Sequence, residues 1–174
     1  MTSTEKAEAE LADEGSAGSA EALRHVMGTF ISGVTVVTTL WQGIAHAMTA
    51  TAVSSLSLEP PLVLVCVSKT SRFHSAVLSS GQWAMSLLRH DQEPIARHFS
   101  HKGRDLKTQF DHVAHTAAPL SGAPLIGGAH SWLECETYAT YDGGDHTIVL
   151  GRVVRASRRP PSGRPLTYYR GAYS

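Results

Sequence analysis

The 174-residue sequence predicts a mainly β protein, a closed and mostly antiparallel β-barrel with a few peripheral helices. Segments with strand patterning outnumber helical ones, several neighbouring strands are separated by turn signals, and few helices are available to cross over between parallel strands. There is no internal repeat, so we expect one domain over residues 20–174. The acidic tail at residues 1–19 has little apolar surface to bury and is expected to be disordered.

The first elements are predicted from caps and turns. A short helix is expected at 20–27, because Ser19 can cap its start and Gly28 can end it. Two β-branched strands are then expected at 34–40 and 44–48. The tight turn between them ends in glycine, which predicts a hairpin.

Two further elements flank a hydroxyl-rich segment. The pair Pro60-Pro61 is expected to block pairing and restart the chain, which leaves residues 49–57 as a connection between strands. The apolar run 62–67 is typical of a strand that is buried on both faces. Ser71 is then the expected cap of a helix that ends at Gly81.

The second half of the chain alternates strands with loops. Residues 100–128 are rich in glycine and are expected to form loops. The remaining predicted elements are strands at 83–88, 130–141 and 146–156, a short helix at 93–99, and a final strand and turn at 164–173.

Charge and cysteine content exclude several classes of function. Lys plus Arg is 15 and Asp plus Glu is 15, so the net charge of zero gives no footprint for nucleic acid or an anionic membrane. Cys66 and Cys135 lie in apolar runs without a CxxC partner, which predicts two buried free thiols and a cytoplasmic protein. The histidine pairs 98/101 and 112/115 lack a Glu or Cys partner, so no metal site is expected. Neither a signal peptide nor an apolar run of about 20 residues is present, so no membrane span is expected.

Five hydroxyl side chains lie within nine residues of the segment 49–57. Small hydroxylated residues allow close backbone approach and offer donors and acceptors, as a flat polar heterocycle or a phosphate requires. An ordinary Ser/Thr loop is an equally good interpretation of this segment alone. The hydroxyls belong to Thr49, Thr51, Ser54, Ser55 and Ser57.

Three other constellations could bind a ligand. Residues 68–72, Ser-Lys-Thr-Ser-Arg, stand at a predicted helix start, where free N–H groups and two cations could bind an anion. For that stretch alone, a capped helix with exposed basic side chains is the better interpretation. His146 follows the turn 143–145 and could contact a ligand or be structural. The aromatic C-terminus, 168–173, could stack on a nucleotide or seal the core.

Taken in order, these pieces resemble the flavin reductase family, the small reductases that supply reduced flavin to two-component monooxygenases. The resemblance covers about residues 25–173 and rests on the order of its motifs. The motifs are GVTVVTT, AMTATAVSSLSLEPPLVLVCV, the Ser/Lys/Thr-Ser-Arg turn, PLIGGAHSWLECE, GGDHTIVLGRV and PLTYYRGAY. Ala47 stands where many members of the family have glycine.

The resemblance implies an FMN-binding split β-barrel that forms a homodimer. It implies an NAD(P)H:flavin oxidoreductase, which transfers hydride from the nicotinamide to FMN or FAD and releases reduced flavin to a partner monooxygenase. By the same resemblance, His146 positions the nicotinamide, and Tyr169, Arg170 and Tyr173 also contact the nicotinamide nucleotide. The phosphate end of the flavin is expected near 68–72, with segment 102–105 close by. The flavin-binding residues that the resemblance implies are Thr35, Thr49, Ala50, Thr51, Ala52, Ser54, Ser55, Ser68, Lys69, Ser71, Arg72, Phe99, Lys102 and Asp105.

Two alternatives remain open at this point. One is a flavoprotein that keeps FMN tightly bound and reduces another acceptor, and the other is a non-enzymatic flavin-binding split barrel. A relative of the pyridoxamine-phosphate oxidases has less support, since its phosphate would meet no clear basic cluster beyond Lys69 and Arg72. The sequence leaves FMN against FAD, and NADH against NADPH, undecided.

Overall fold

The fold was determined as a computed structural model that describes residues 18–158 and 163–174. The predicted N-terminal tail lies outside the described residues, apart from its last two positions. The helices of the described residues are α1 (Ala20–Met27), α2 (Arg72–Ser80) and α3 (Glu93–Ser100), the last preceded by a 3₁₀ turn at His90–Gln92. The strands are β1 (Ser32–Gly33), β2 (Thr35–Trp41), β3 (Ile44–Ala50), β4 (Val53–Leu58), β5 (Pro61–Ser68), β6 (Gln82–Leu87), β7 (His115–Ala117), β8 (Pro124–Ile126), β9 (Ser131–Gly143), β10 (His146–Arg158), β11 (Thr167–Tyr169) and β12 (Ala172–Tyr173).

Seven strands form the main sheet, in the order β3-β2-β6-β9-β10-β5-β4, and every neighbouring pair is antiparallel. The two edge strands, β3 and β4, are consecutive in the chain and are joined only by Thr51 and Ala52. A link this short can span only about 10 Å, so the sheet must curl until its two edges meet at that point. The predicted mainly antiparallel β fold is confirmed. The two edge strands β3 and β4 are not paired with each other, so the expected closure of the barrel by hydrogen bonds is not found.

The hairpin of β2 and β3 is confirmed, and its turn is shorter than predicted. Trp41 pairs with Ile44, which leaves Gln42 and Gly43 as a two-residue turn. Both turn residues have positive φ, 51° and 73°, as a primed turn that matches strand twist requires. This turn sets the register of β3 against β2, and β3 is an edge strand of the sheet.

The expected break at the double proline is wrong. Residues 53–58 form strand β4, and Pro61 pairs with Leu58 across a two-residue turn. Proline is tolerated at the first position of a strand, so Pro61 begins β5 instead of ending the pairing. The two faces of β5 are also unequally buried, because Val65 and Val67 are fully buried while Cys66 is only partly buried.

The remaining helices and strands agree with the prediction within a few residues, with two additions. The segment expected to be loop contains the short hairpin of β7 and β8. The C-terminal hairpin of β11 and β12 pairs through β11 with β1, a two-residue strand that the sequence pattern did not indicate. Within the described residues, no helix is long and apolar enough to cross a membrane.

The core has two parts, one packed against α2 and the other against α3. The first, which we call the Trp83 cluster, brings Trp83, Cys135 and Val149 of the sheet against Phe73 and Val77 of α2. The second, the Phe99 cluster, lies on the α3 side and contains Phe99, Ala96, Ala47, Leu88 and Ile126. Because Ala47 belongs to one cluster and Ala50 to the other, β3 is held between α2 and α3.

Both cysteines are free, as predicted, but only Cys135 is buried, so the prediction of burial is wrong for Cys66. Cys135 is 1 % exposed, and burial, helped by the charge of Glu134, raises the pKa of its thiol to about 12.

We therefore expect a thiol reagent at about pH 8 to modify one cysteine in the folded protein and two after unfolding, since only a thiolate reacts. Mass spectrometry of labelled protein measures this. Cys66→Ser should leave no reactive thiol in the fold, and rapid labelling of Cys135 would contradict the expectation.

Candidate active site

A cleft of about 600 Å³ is bordered by β3, by the end of β5 and by the start of β10. It lies beside the outer edge of β3, between the start of α2 and the end of α3. Its lining residues are those at 46–52, 70–73 and 99–104, together with Cys66, Ser68, Leu106 and His146.

The outer edge of β3 presents unpaired backbone groups to this cleft. The carbonyl of Ala45 accepts a hydrogen bond from Gln109 Nε2 at 2.8 Å, and that of Ala47 accepts one from Arg104 Nη2 at 2.9 Å. In an antiparallel pair, alternate residues direct both backbone groups away from the partner strand. The N–H and C=O groups of Thr49 therefore also point outward, where they can pair with the polar edge of a planar ring.

The five hydroxyls at 49–57 do not form one polar row. Thr49 and Thr51 line the cleft, but the Thr49 hydroxyl already donates to the Ala96 carbonyl of α3 at 2.7 Å. Ser54 and Ser55 lie on β4 and are exposed outside the cleft. The backbone edge of β3, and not a set of hydroxyls, thus supplies most of the polar groups on this side.

The start of α2 forms one end of the cleft. Ser71 caps the helix by accepting a hydrogen bond from the His74 N–H at 3.2 Å, as its position in the sequence predicted. The first-turn N–H groups that a helix leaves free favour an anion at this end. Arg72 extends from the same turn and donates through Nη2 to the Arg104 carbonyl at 2.5 Å.

Arg104 joins three segments of the cleft wall. Its guanidinium donates to the carbonyl of Ala47 on β3 and to those of His98 and His101 at the end of α3, the His98 contact being 3.1 Å. Its Cζ lies 5.4 Å from the centre of the Phe99 ring. Its Nε is buried and has no hydrogen-bond partner among the residues that the structure describes.

The charge of the cleft is positive. Arg72, Lys102 and Arg104 line it, and no Asp or Glu does so within residues 18–158 and 163–174. Burial, together with the like charge of Arg72, lowers the pKa of the Arg104 guanidinium from its ordinary value. An anionic group bound between these cations would relieve their repulsion, so the cleft is suited to a phosphorylated ligand.

His146 enters the cleft from the start of β10. It pairs in register with Ser68 at the end of β5, next to the start of α2. Its Nδ1 lies 2.7 Å from Oδ1 of Asp145, and the hydrogen bond from His146 is the main cause that lowers the pKa of that carboxyl. Because Asp145 is 92 % exposed, this pair orients the imidazole more than it stabilises the fold.

The structure brings most of the predicted site residues together. Arg104 falls inside the segment 102–105 that the resemblance indicated, but it was not singled out, because its contact with the Ala47 carbonyl joins residues 57 positions apart. The predicted residues that line the cleft are Thr49, Ala50, Thr51, Ala52, Ser68, Ser71, Arg72, Phe99, Lys102 and His146. Those that do not are Thr35, Ser54, Ser55, Lys69, Asp105, Tyr169, Arg170 and Tyr173.

The predicted residues outside the lining have other contacts. The buried Thr35 hydroxyl donates to the Ala50 carbonyl at 2.9 Å and so supports β3 from behind. The Asp105 carboxylate accepts the Lys107 N–H at 2.9 Å, and Lys69 forms an ion pair with Asp142.

The C-terminal aromatic residues lie beside the end of α3. Tyr173 has Arg97 at 5.2 Å over its ring and hydrogen-bonds Ser100, which itself lines the cleft. Tyr169 and Arg170 stack on each other at the turn of the hairpin, 5.4 Å from Cζ to ring centre. This hairpin therefore contacts the helix that forms one wall of the cleft. The described part of the chain contains no cluster of three side chains suited to a metal ion.

Comparison with known proteins gives a consistent result. The flavin reductase like domain family matches residues 27–174. An NADH-dependent FAD reductase of Streptomyces globisporus is 46% identical over 139 residues, which are 79% of this chain and 76% of that protein. The reductase subunit HsaB of a flavin-dependent monooxygenase from Rhodococcus jostii is 36% identical over 151 residues, covering 87% of this chain and 75% of that protein.

Solved structures extend the similarity to the whole fold. The NADH:FAD oxidoreductase SgcE6 of Streptomyces globisporus C-1027, in complex with NAD and FAD fragments, superposes with a TM-score of 0.83 at 42% identity. The match covers 88% of this chain and 90% of that one. BorF, the flavin reductase component of a bacterial two-component tryptophan halogenase, gives a TM-score of 0.84 at 38% identity, covering 90% and 97% of the two chains.

Proposed function

This chain belongs to the flavin reductase family, and from that premise we propose that it reduces FMN or FAD with NADH and supplies reduced flavin to a monooxygenase. The observation that carries the proposal is the cleft itself, an open strand edge that ends among three cations with no lining carboxylate. A planar ring with alternating donors and acceptors fits the edge, and a phosphate fits the cations. The two free cysteines support a cytoplasmic location.

The residues present suit a flavin nucleotide. The small side chains of Ala50 and Ala52 allow a ring to approach the backbone at Thr49 and Thr51. Ser68, Ser71 and Arg72 would hold the phosphate end together with the first turn of α2. The flavin supplies the electron-accepting ring and NADH the hydride, while the apolar walls formed by Phe73 and Phe99 exclude water.

The contacts available to the flavin favour release after reduction. Each neutral backbone hydrogen bond contributes about 0.5–1.5 kcal/mol net, so a few of them hold a ligand at roughly micromolar affinity. Such an affinity suits a flavin that acts as a diffusible substrate.

We assign His146 to the nicotinamide side of the cleft. The Asp145 carboxylate is hydrogen-bonded to Nδ1 of His146, so that Nε2 is left to contact the ligand. Tyr173, through Ser100, and the neighbouring Tyr169 and Arg170 would extend this side toward the rest of the nucleotide.

Replacing His146 with alanine is expected to raise KM for NADH about tenfold while kcat falls by less than about threefold, because the imidazole positions the nicotinamide and transfers no proton. Steady-state kinetics with saturating FMN measure both constants. His112→Ala, an exposed histidine outside the cleft, is the control. Equal losses in kcat and kcat/KM would instead assign His146 to the transition state.

The proposed function is tested by NADH oxidation with dialysed protein, with FMN, with FAD and with no flavin. Activity that requires added flavin and saturates with it supports the diffusible reductase. Activity without added flavin, in protein that stays yellow, would indicate a tightly bound flavin and another acceptor. No oxidation of NADH or NADPH under any condition would contradict an enzymatic role.

We propose in addition that the protein is a homodimer. Leu56 and Leu58 on the edge strand β4 are 49% and 85% exposed. Val53 of the same strand lines a mostly apolar groove together with Leu87 and Leu166. Light scattering tests the dimer, and Leu58→Glu should shift the mass toward the monomer if this surface forms the interface.

A further inference from the structure

His46 is a buried imidazole at the cationic end of the cleft. It lies on β3, is 6% exposed and lines the cleft beside Ala47, whose carbonyl is bound by Arg104. Trp41 contacts it from the turn side, with ring centres 6.2 Å apart. The resemblance to the flavin reductases assigned it no role.

The two ring nitrogens of His46 have different surroundings. Nδ1 is buried and has no hydrogen-bond partner in the part of the chain that the structure describes. A buried N–H without an acceptor is costly, whereas an unpaired lone pair is tolerated more easily. The proton of the neutral ring therefore belongs on Nε2, the nitrogen that is left to reach the cleft.

The charged side chains and the histidines that line the cleft with His46 are basic. They are Arg72 of α2, His101, Lys102 and Arg104 after α3, and His146 of β10, and the charge of Arg72 acts on His46 directly. No carboxylate lines the cleft within residues 18–158 and 163–174. An N–H donor in this setting is suited to an anionic oxygen.

We propose that His46 is a specificity-determining residue, whose Nε2–H donates a hydrogen bond to a phosphate oxygen of the bound flavin nucleotide. This inference rests on the proposed function and assigns a donor that distinguishes FMN and FAD from riboflavin. A hydrogen bond to a charged oxygen is stronger than one between neutral groups, so a single donor can produce a clear preference.

The same surroundings keep His46 neutral. Burial first, and then the charge of Arg72, lower the pKa of its imidazole. Protonation would also place an N–H on the buried Nδ1, where it has no acceptor. The neutral ring therefore persists to lower pH than in an ordinary histidine, and its contribution should not depend on pH between about 7 and 8.

The test compares His46→Leu, which removes the donor, with His46→Gln, whose amide N–H₂ can occupy the place of Nε2–H. The dissociation constants of FMN, FAD and riboflavin are measured by flavin fluorescence. We expect His46→Leu to weaken FMN and FAD about tenfold and riboflavin less than about twofold, and His46→Gln to restore most of the affinity. The ratio of wild type to His46→Leu should be constant across this pH range. His112→Leu is the matched control.

Several results would overturn the inference. Equal losses of affinity for riboflavin and FMN would contradict the contact between His46 and the phosphate. A ratio of wild-type to His46→Leu affinity that grows toward low pH would indicate a charged imidazole. If His46→Leu does not fold, nitrogen NMR of the wild-type ring reports the tautomer, and a proton on Nδ1 rejects the proposal. Failure of the wild-type protein to bind any flavin would instead reject the proposed function.

Discussion

Replacing Arg104 with methionine is expected to weaken FMN binding by about 30-fold or more. The methionine chain keeps the packing over Phe99 but loses the donors to the carbonyls of Ala47, His98 and His101. Two or three charge-assisted hydrogen bonds are lost, each worth about 1.5–3 kcal/mol. Without them the cleft wall is displaced, and part of the lost energy is therefore lost from flavin binding. Flavin fluorescence gives the dissociation constant, and NADH oxidation gives KM for FMN.

Arg104→Lys separates charge from geometry in this prediction. Lysine keeps the cation but cannot reach three carbonyls with a fixed fork, so we expect it to lose nearly as much affinity as methionine. Arg152→Met is the control, because Arg152 is an exposed arginine that stacks on Tyr138 outside the cleft. Full activity of Arg104→Lys would mean that only the charge of Arg104 matters.

Gly151→Ala is expected to destabilise the protein by about 3 kcal/mol. A Cβ at this position would lie 2.3 Å from Cζ2 of Trp83 and 2.8 Å from the Cβ of Cys135. Trp83 is fully buried in the cluster named after it, so its indole cannot move aside without disturbing the core. Urea unfolding followed by tryptophan fluorescence measures the free energy of unfolding.

The contact with the indole can be isolated by a double mutant. Phenylalanine at position 83 lacks the ring atoms that the new methyl group would meet, so Gly151→Ala should cost less in a Trp83→Phe background than in the wild type. Gly33→Ala is the control, since a Cβ there meets nothing within 4 Å. Equal costs in both backgrounds would show that the indole is not the source of the strain.

Local signals in the sequence predicted the parts of the fold that depend on neighbouring residues. The caps of α2 at Ser71 and Gly81, and the turn at Gln42 and Gly43, each require a residue type that only a few side chains satisfy. Their positions were therefore predicted within a residue or two. The order of these elements also sufficed to identify the family.

Pairing and long-range contacts were harder to predict. Strand β4 was missed because Pro60 and Pro61 were interpreted as a break. Its pairing with β5 depends on the assembled sheet, which no local pattern in the sequence indicates. The resemblance implied that hydroxyls from Thr49 to Ser55 all contact the flavin, but strand alternation and the change from β3 to β4 divide them. Arg104 was not singled out because its acceptors at Ala47 and His98 are brought together only by the fold.

The open edge of β3 also affects the tendency of the protein to aggregate. An unpaired strand edge is a template on which a strand of another chain can add, and this is a common route to aggregation. Gln109 and Arg104 occupy the carbonyls of Ala45 and Ala47, so the first half of the edge cannot accept a foreign strand. The uncovered remainder, from Thr49 to Ala52, is too short to nucleate a ladder. The side chains that shape the cleft thus also act as gatekeepers, which protect an edge that has to stay open for its ligand.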